Sequence, residues 1–227
     1  FEDAIENIDI GGPTMLRSAA KNFRDVCVIT DTMDYERVIE ELDELGDTRL
    51  ETRKFLALKV FNQTANYDAL ISAYLKEHVG ETLDTPLTLT YDLKQTLRYG
   101  ENPHQRASLY VGINDVPWAM TSATILHGKE LSYNNIQDGQ VALDLLQEFS
   151  EPSCVVLKHM NPCGVASDAS IHEAYLKAYH ADPVSIFGGI VALNKELGLE
   201  TALRLSEIFL ELIIAPSYTQ EALDVLK

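Results

Sequence analysis

An α/β fold is what this sequence predicts, on three observations. Short apolar runs suited to buried strands recur along the chain, among them VCVIT at 26–30, CVVL at 154–157 and IVAL at 190–193. Segments whose apolar residues follow the helical period lie between them, and strand followed by helix is the α/β rhythm. The run at 154–157 then stops on Lys158-His159, with Asn161-Pro162-Cys163-Gly164 close behind. A buried strand that ends on two titratable residues and turns on Asn-Pro and Gly is how such a sheet presents chemistry at a strand's carboxyl end. Lys158 and His159 are therefore the first candidate catalytic pair. The competing reading is a strand end whose Lys and His only reach solvent.

Composition narrows the function classes. With 227 residues the chain suits one large or two ordinary domains. Eighteen basic against 35 acidic residues leave a net charge of −17, which opposes nonspecific binding to nucleic acid or to an anionic membrane. No apolar run approaches the ~20 residues of a membrane span and no signal-peptide pattern opens the chain, so a cytoplasmic protein is expected. The first residue is Phe1 and the last lies inside a helical pattern, which suggests a piece of something longer. Three distant cysteines, 27, 154 and 163, imply no disulfide framework. Pro162-Cys163 invites comparison with the P-C-x-x-C half of a zinc deaminase signature, but Ala166 stands where the second thiolate would be, so no metal is predicted.

In chain order, Asp9-Ile10-Gly11-Gly12-Pro13 reads as a turn feeding a helix start, with Met15, Leu16, Ala19 and Ala20 apolar. Its amides could meet an anion, although most Gly-Gly turns only turn. The run 26–30 predicts a parallel strand. Residues 34–46 predict a helix capped by Asp34, with Val38, Ile39, Leu42 and Leu45 inward. A longer helix follows over 50–77, with a buried stripe of Phe55, Leu58, Phe61, Ala65, Leu70, Ile71 and Tyr74, and with Arg53 and Lys59 solvated. Polar, aperiodic 78–87 marks a domain boundary.

Beyond it, 87–91 alternates like a strand, and LRYGENPHQ at 97–105 gathers polar donors around Gly and Pro. That loop is either a ligand loop, with Arg98 free to pair with phosphate, or a solvated hairpin. Strands are expected at 107–113 and within 117–125, a helix over 136–149, and another over 171–180. Gly188-Gly189 precedes the strand 190–193, and paired glycines there imply close backbone approach by a strand or ligand. A helix over 200–209, a strand at 212–215 and a helix from 219 close the chain.

Four phrases, NIDIGGPTMLRSAAKN (7–22), LRYGENPHQ, LKHMNPCGVA (157–166) and DPVSIFGGIVALN (182–194), resemble in this order a bifunctional purine-biosynthesis family. That family joins an inosine-monophosphate (IMP) cyclohydrolase to an aminoimidazole-carboxamide-ribotide (AICAR) formyltransferase. The resemblance covers essentially the whole chain and implies a truncated molecule. Residues 1–80 would be the C-terminal part of the cyclohydrolase domain, the end of a methylglyoxal-synthase-like fold. Residues 86–227 would be the first half of the formyltransferase domain, a cytidine-deaminase-like α/β unit. It further implies formyl transfer from 10-formyltetrahydrofolate as cosubstrate, AICAR, formyl-AICAR and IMP as ligands, and a homodimer.

Residue by residue, the resemblance places Asp9 and Ile10 at the cyclohydrolase nucleotide site and makes Lys21 its proton-transfer or carbonyl-polarising group. It assigns Arg98 and Tyr99 to the ribotide, Lys158 and His159 to catalysis, and Gly188 and Glu211 to nucleotide contacts. Adjacent strand residues point to opposite faces, so Lys158 and His159 reach one substrate only if the strand ends or bends at Lys158. His104 would order its loop. Cys163 as a nucleophile with His159 as base is disfavoured, since formyl transfer between two bound substrates needs no covalent intermediate. A noncatalytic purine-nucleotide-binding or assembly piece is the alternative from another class.

Overall fold

The computed structural model describes residues 1–80, 86–112 and 115–227. Part of the expected boundary, 81–85, and Ile113 at the end of one expected strand lie outside the described residues. The chain divides into two compact units, Phe1–Thr90 and Tyr91–Lys227.

The first unit is helical: α1 (Glu2–Glu6), α2 (Gly11–Lys21), α3 (Tyr35–Leu45) and α4 (Leu50–Val79). Its small core joins α2 to α4 through Ala20, Ala57 and Val60, with Leu16, Phe23 and Val28 against them. The segment 26–30, expected as a strand, is half-buried and pairs with no described strand. Apolar β-formers alone do not make a strand where no neighbouring ladder satisfies their backbone.

Helix α3 begins after Asp34 and ends on Gly46 at φ 69°, as its sequence suggests. The Asp34 side chain makes no cap, however, and instead pairs with Lys59. Of the four residues expected inward only Val38 is buried; Ile39, Leu42 and Leu45 are exposed. The stripe expected on α4 is also out of phase, since Phe55, Leu58, Phe61 and Leu70 are exposed while Leu56, Ala57, Val60 and Ala69 are buried. Apolar side chains surround this helix, so spacing alone does not choose a face. Arg53 and Lys59 are engaged, not solvated. Arg53 reaches the Phe23 carbonyl and Asp47, and Lys59 bonds Asp31 at 2.6 Å as well as Asp34.

The second unit opens with an antiparallel hairpin, β1 (Tyr91–Leu97) and β2 (Ala107–Gly112). The first strand thus starts where the expected strand at 87–91 ends. Residues 117–125 hold a 3-10 turn, Met120–Ser122, and no strand. Then come α5 (Tyr133–Leu146), β3 (Ser153–Lys158), β4 (Asn161–Ser167), α6 (Ile171–Ala181), β5 (Ile190–Leu193), α7 (Leu199–Leu205), β6 (Leu212–Ile214) and α8 (Gln220–Leu226). Helix α7 stops short of the expected 209.

Four strands form a mixed sheet in the order β4-β3-β5-β6, antiparallel except for β5 and β6. Cys154, Val156, Val191 and Leu193 face a core with Ala174, Tyr175 and Ala178 of α6 and Ala202 and Leu205 of α7. Val155, Leu157 and Ala192 face Ala142 and Leu146 of α5. Burial on both faces is why β3 and β5 read as unbroken apolar runs, and each large side chain so buried contributes about 1.5–3 kcal/mol.

The expected turn on Asn161-Pro162-Cys163-Gly164 is instead the start of β4. The chain reverses one step earlier, on His159-Met160, and Lys158 pairs with Asn161. Pro162 is tolerated because β4 is an edge strand and the ladder is irregular there, with Val156 opposite Gly164 but Leu157 opposite Pro162.

Candidate active site

Register brings the candidate residues to one end of the sheet. Leu157 lies across from Ile190, and Ile190 from Leu212, so Lys158, Gly189 and Glu211 follow at the same edge. The Glu211 amide donates to the Gly189 carbonyl at 2.9 Å, and the Gly188 amide to the Phe209 carbonyl at 2.8 Å. Gly189 is needed for close approach, because a β-carbon there would lie 2.8 Å from the Leu157 carbonyl oxygen. The approaching group is thus a neighbouring strand. Gly188 has φ 69°, and a β-carbon on it would stand 4.0 Å from Lys158 Nζ.

Lys158 is half-buried and donates from Nζ to the Phe187 carbonyl at 2.7 Å. Among the described residues no carboxylate pairs with it, so the ammonium's remaining hydrogens can serve a ligand. His159 is exposed at φ 51°, followed by Met160 at φ 60°. Two successive left-handed residues make the tight reversal that twisted hairpins favour, but without the usual Asn-Gly. Each costs roughly 1–2 kcal/mol over the right-handed form. The strand therefore ends at Lys158 and the chain reverses on His159, which meets the geometric condition for both to serve one substrate.

Helix α5 supplies two groups that the sequence did not reveal. Met160's amide donates to Asp138 Oδ1 at 2.8 Å, and Asn135 Nδ2 donates to Glu211 Oε2 at 2.7 Å. Asn135 also closes a reciprocal cap with Ser132, which the Ser-x-x-Asn spacing could have flagged. Nothing in the spacing marks Asp138. Phe187 and Phe209, both exposed, set their rings 5.9 Å apart beside Lys158 and Gly188.

The structure thus brings together Lys158, His159, Gly188 and Glu211. Arg98 and Tyr99 sit where β1 enters its loop, with the guanidinium 5.9 Å from the Tyr99 ring. Among the described residues no hydrogen bond joins them to Lys158 or His159. Gln105, not His104, orders that loop, accepting from the Asn102 amide at 2.8 Å through its side chain and from the Gly100 amide at 2.9 Å through its carbonyl.

Asp9, Ile10 and Lys21 belong to the first unit. Asp9 takes the Gly12 amide at 2.9 Å, so its own carboxylate caps α2, while its amide donates to Tyr67 Oη at 2.8 Å. Ile10 is exposed just before the helix, and Lys21 lies in its last turn. At 1.5 Å per residue those two ends are about 15 Å apart, too far for one proton to pass directly between Asp9 and Lys21. An open groove runs along α2 past Ile10, Thr14, Ser18 and Asn22.

Cys163 is poorly placed as a nucleophile. Burial, helped by Asp182, pushes its thiol above the usual range, and Sγ donates to the Val156 carbonyl at 3.7 Å. Among the described residues, no cluster of His, Cys, Asp and Glu could hold a metal ion. No described helix is long and apolar enough to cross a membrane.

Residues 19–227 match the family described as AICARFT/IMPCHase bienzyme. The chain belongs to the AICARFT/IMPCHase bienzyme family. Among curated relatives, the Bifunctional purine biosynthesis protein PurH of Bacillus cereus (strain AH187) is 59% identical over 231 residues. The protein of the same name from Bacillus thuringiensis (strain Al Hakam) is likewise 59% identical over 231 residues. All of this chain is covered in both matches, but it spans only 44% of the length of each relative.

Proposed function

We propose that the whole protein of which these residues form part carries out the two activities that give the AICARFT/IMPCHase family its name. They are formyl transfer from 10-formyltetrahydrofolate to AICAR, and closure of formyl-AICAR to IMP. On this reading residues 1–80 contribute to the cyclohydrolase and 86–227 form the first half of the formyltransferase. A cytoplasmic homodimer goes with it. The observation that carries the reading is the sheet end at which Lys158 stands beside Gly188 while a strained turn swings His159 off the strand.

In formyl transfer the amine of AICAR attacks the formyl carbon, a new C–N bond forms, and the C–N bond to the folate breaks. His159 takes the proton from the attacking amine, directly or through the neighbouring carboxamide. Lys158, held by the Phe187 carbonyl, stabilises the tetrahedral oxyanion and hands a proton to the departing nitrogen. Gly188 leaves room beside the ammonium, Glu211 accepts a ribotide donor, and Arg98 with Tyr99 holds the ribotide. In ring closure Lys21 offers a cation to the formyl oxygen, and Asp9 and Ile10 shape the nucleotide end of α2.

The test is to assay both reactions in the full-length protein carrying Lys158→Ala or His159→Ala. Formyl transfer should fall at least 100-fold, the scale of losing one positioned proton-transfer or oxyanion group, with cyclisation of supplied formyl-AICAR retained. Parallel loss of both reactions would mean that these residues serve folding, and undiminished transfer would discard the assignment.

A further inference from the structure

We infer that Asp138 is a positioning residue for formyl transfer, clamping the His159-Met160 turn so that the imidazole is aimed at the substrate amine. The inference rests on the reading of His159 as the proton acceptor.

Among the described residues, His159 and Met160 are the non-glycine positions with positive φ, at 51° and 60°, and they are adjacent. A backbone of that kind persists only where its surroundings over-determine it. Here three restraints do so. The Lys158–Asn161 ladder pair closes the hairpin, Asn161 Nδ2 donates to the His159 carbonyl at 2.7 Å, and Asp138 Oδ1 accepts the Met160 amide at 2.8 Å. The first two come from the hairpin itself and move with it. Asp138 alone among them ties the turn to another element.

That element is well fixed. Ala142 and Leu146 of α5 are buried against Val155 and Leu157 of β3, the strand that delivers Lys158. Asn135, one turn before Asp138 on the same face, bonds Glu211 at the far side of the same sheet end. The first turns of α5 thus hold both flanks of the site. A charged acceptor also makes a stronger bond to an amide than a neutral one. Asp138 touches no reacting atom, so its effect is on where the imidazole sits.

Displacing a reacting group by ~1 Å costs on the order of 100-fold in rate. Asp138→Ala in the full-length protein should therefore lower the kcat of formyl transfer about 10- to 100-fold and leave the KM for AICAR within about threefold. Asp138→Asn, which keeps an oxygen acceptor, should recover most of the loss. Adding Met160→Gly to Asp138→Ala should recover part of it, because glycine adopts positive φ without help. Cyclisation and the thermal midpoint, measured on the same preparations, should follow the parent. Wild-type kcat in Asp138→Ala beside an inactive His159→Ala overturns the inference and leaves the site reading intact. Equal losses in the Ala and Asn variants, with the melting temperature falling in step, also overturn it. An active His159→Ala sinks the site reading itself.

Discussion

Gly164 lies on β4 against the backbone of α6, so close to the Ala178 carbonyl that a β-carbon built there would overlap it. Its φ is not in the left-handed region, so alanine meets no conformational penalty, and stiffening the unfolded chain would by itself favour alanine by about 0.4–1 kcal/mol. Against this stands overpacking, which costs about 1–3 kcal/mol. The obstacle is a backbone carbonyl on a helix pinned by buried Ala174, Tyr175 and Ala178, so the upper end of that range applies. The net destabilisation is then about 2 kcal/mol. At about 2–4 °C per kcal/mol for a chain of this size, Gly164→Ala should melt about 4–8 °C below the parent. Near-ultraviolet circular dichroism is a suitable probe, because Tyr175 on α6 is buried and reports that packing. Gly198→Ala is the control: nothing stands within 4 Å of its added carbon, and the cost of alanine as a helix N-cap, about 0.5–1 kcal/mol, is largely offset by the gain of about 0.4–1 kcal/mol from stiffening the unfolded chain. Equal melting of Gly164→Ala and the parent would refute the close approach of β4 and α6.

Two further outcomes are expected. The Lys59 ammonium, with the Met33 amide, holds the Asp31 carboxyl below the usual range. A depressed folded pKa means that the stabilisation is present above the unfolded value near ~3.9 and is lost as pH falls through the folded value. Asp31→Asn should therefore lower the melting temperature of the first unit at pH 7, with the gap closing in acid. A gap independent of pH would contradict the pairing. For Cys163, whose thiol burial pushes above the usual range, Cys163→Ser in the full-length protein should leave the proposed formyl transfer within about twofold; removal of a true nucleophile would instead cost many orders of magnitude.

What could be read from sequence was what local chemistry decides. The strand 154–158, the helix over 171–180 and the stop on Gly46 follow from apolar runs and residues with strong backbone preferences. The faces of α4 were not legible, because Phe55, Leu58 and Phe61 alternate with Leu56, Ala57 and Val60 and burial depends on which neighbours arrive. Residues 26–30 carry strand chemistry without a described partner, and partners are non-local. The reversal at 159–160 escaped because His and Met are poor turn residues, whereas Asn161-Pro162 is a strong turn signal that the edge of the sheet absorbs. Of the candidate site, Lys158 and His159 stood out as the end of an apolar run, Gly188 and Glu211 came from the family resemblance, and strand register sets Lys158, Gly188 and Glu211 at one sheet end. Asn135 and Asp138 were not legible, since their roles depend on where α5 docks.

The pairing of β3 with β5 and of β5 with β6 has a kinetic consequence. Lys158, Gly188 and Glu211 come from separate parts of the chain and become neighbours only when those two ladders have closed. Long-range pairings of this kind form late, after local helices. On dilution of the full-length protein from denaturant, far-ultraviolet ellipticity should return well before the proposed ribotide binding does, which makes ligand capture a clock for the completed sheet.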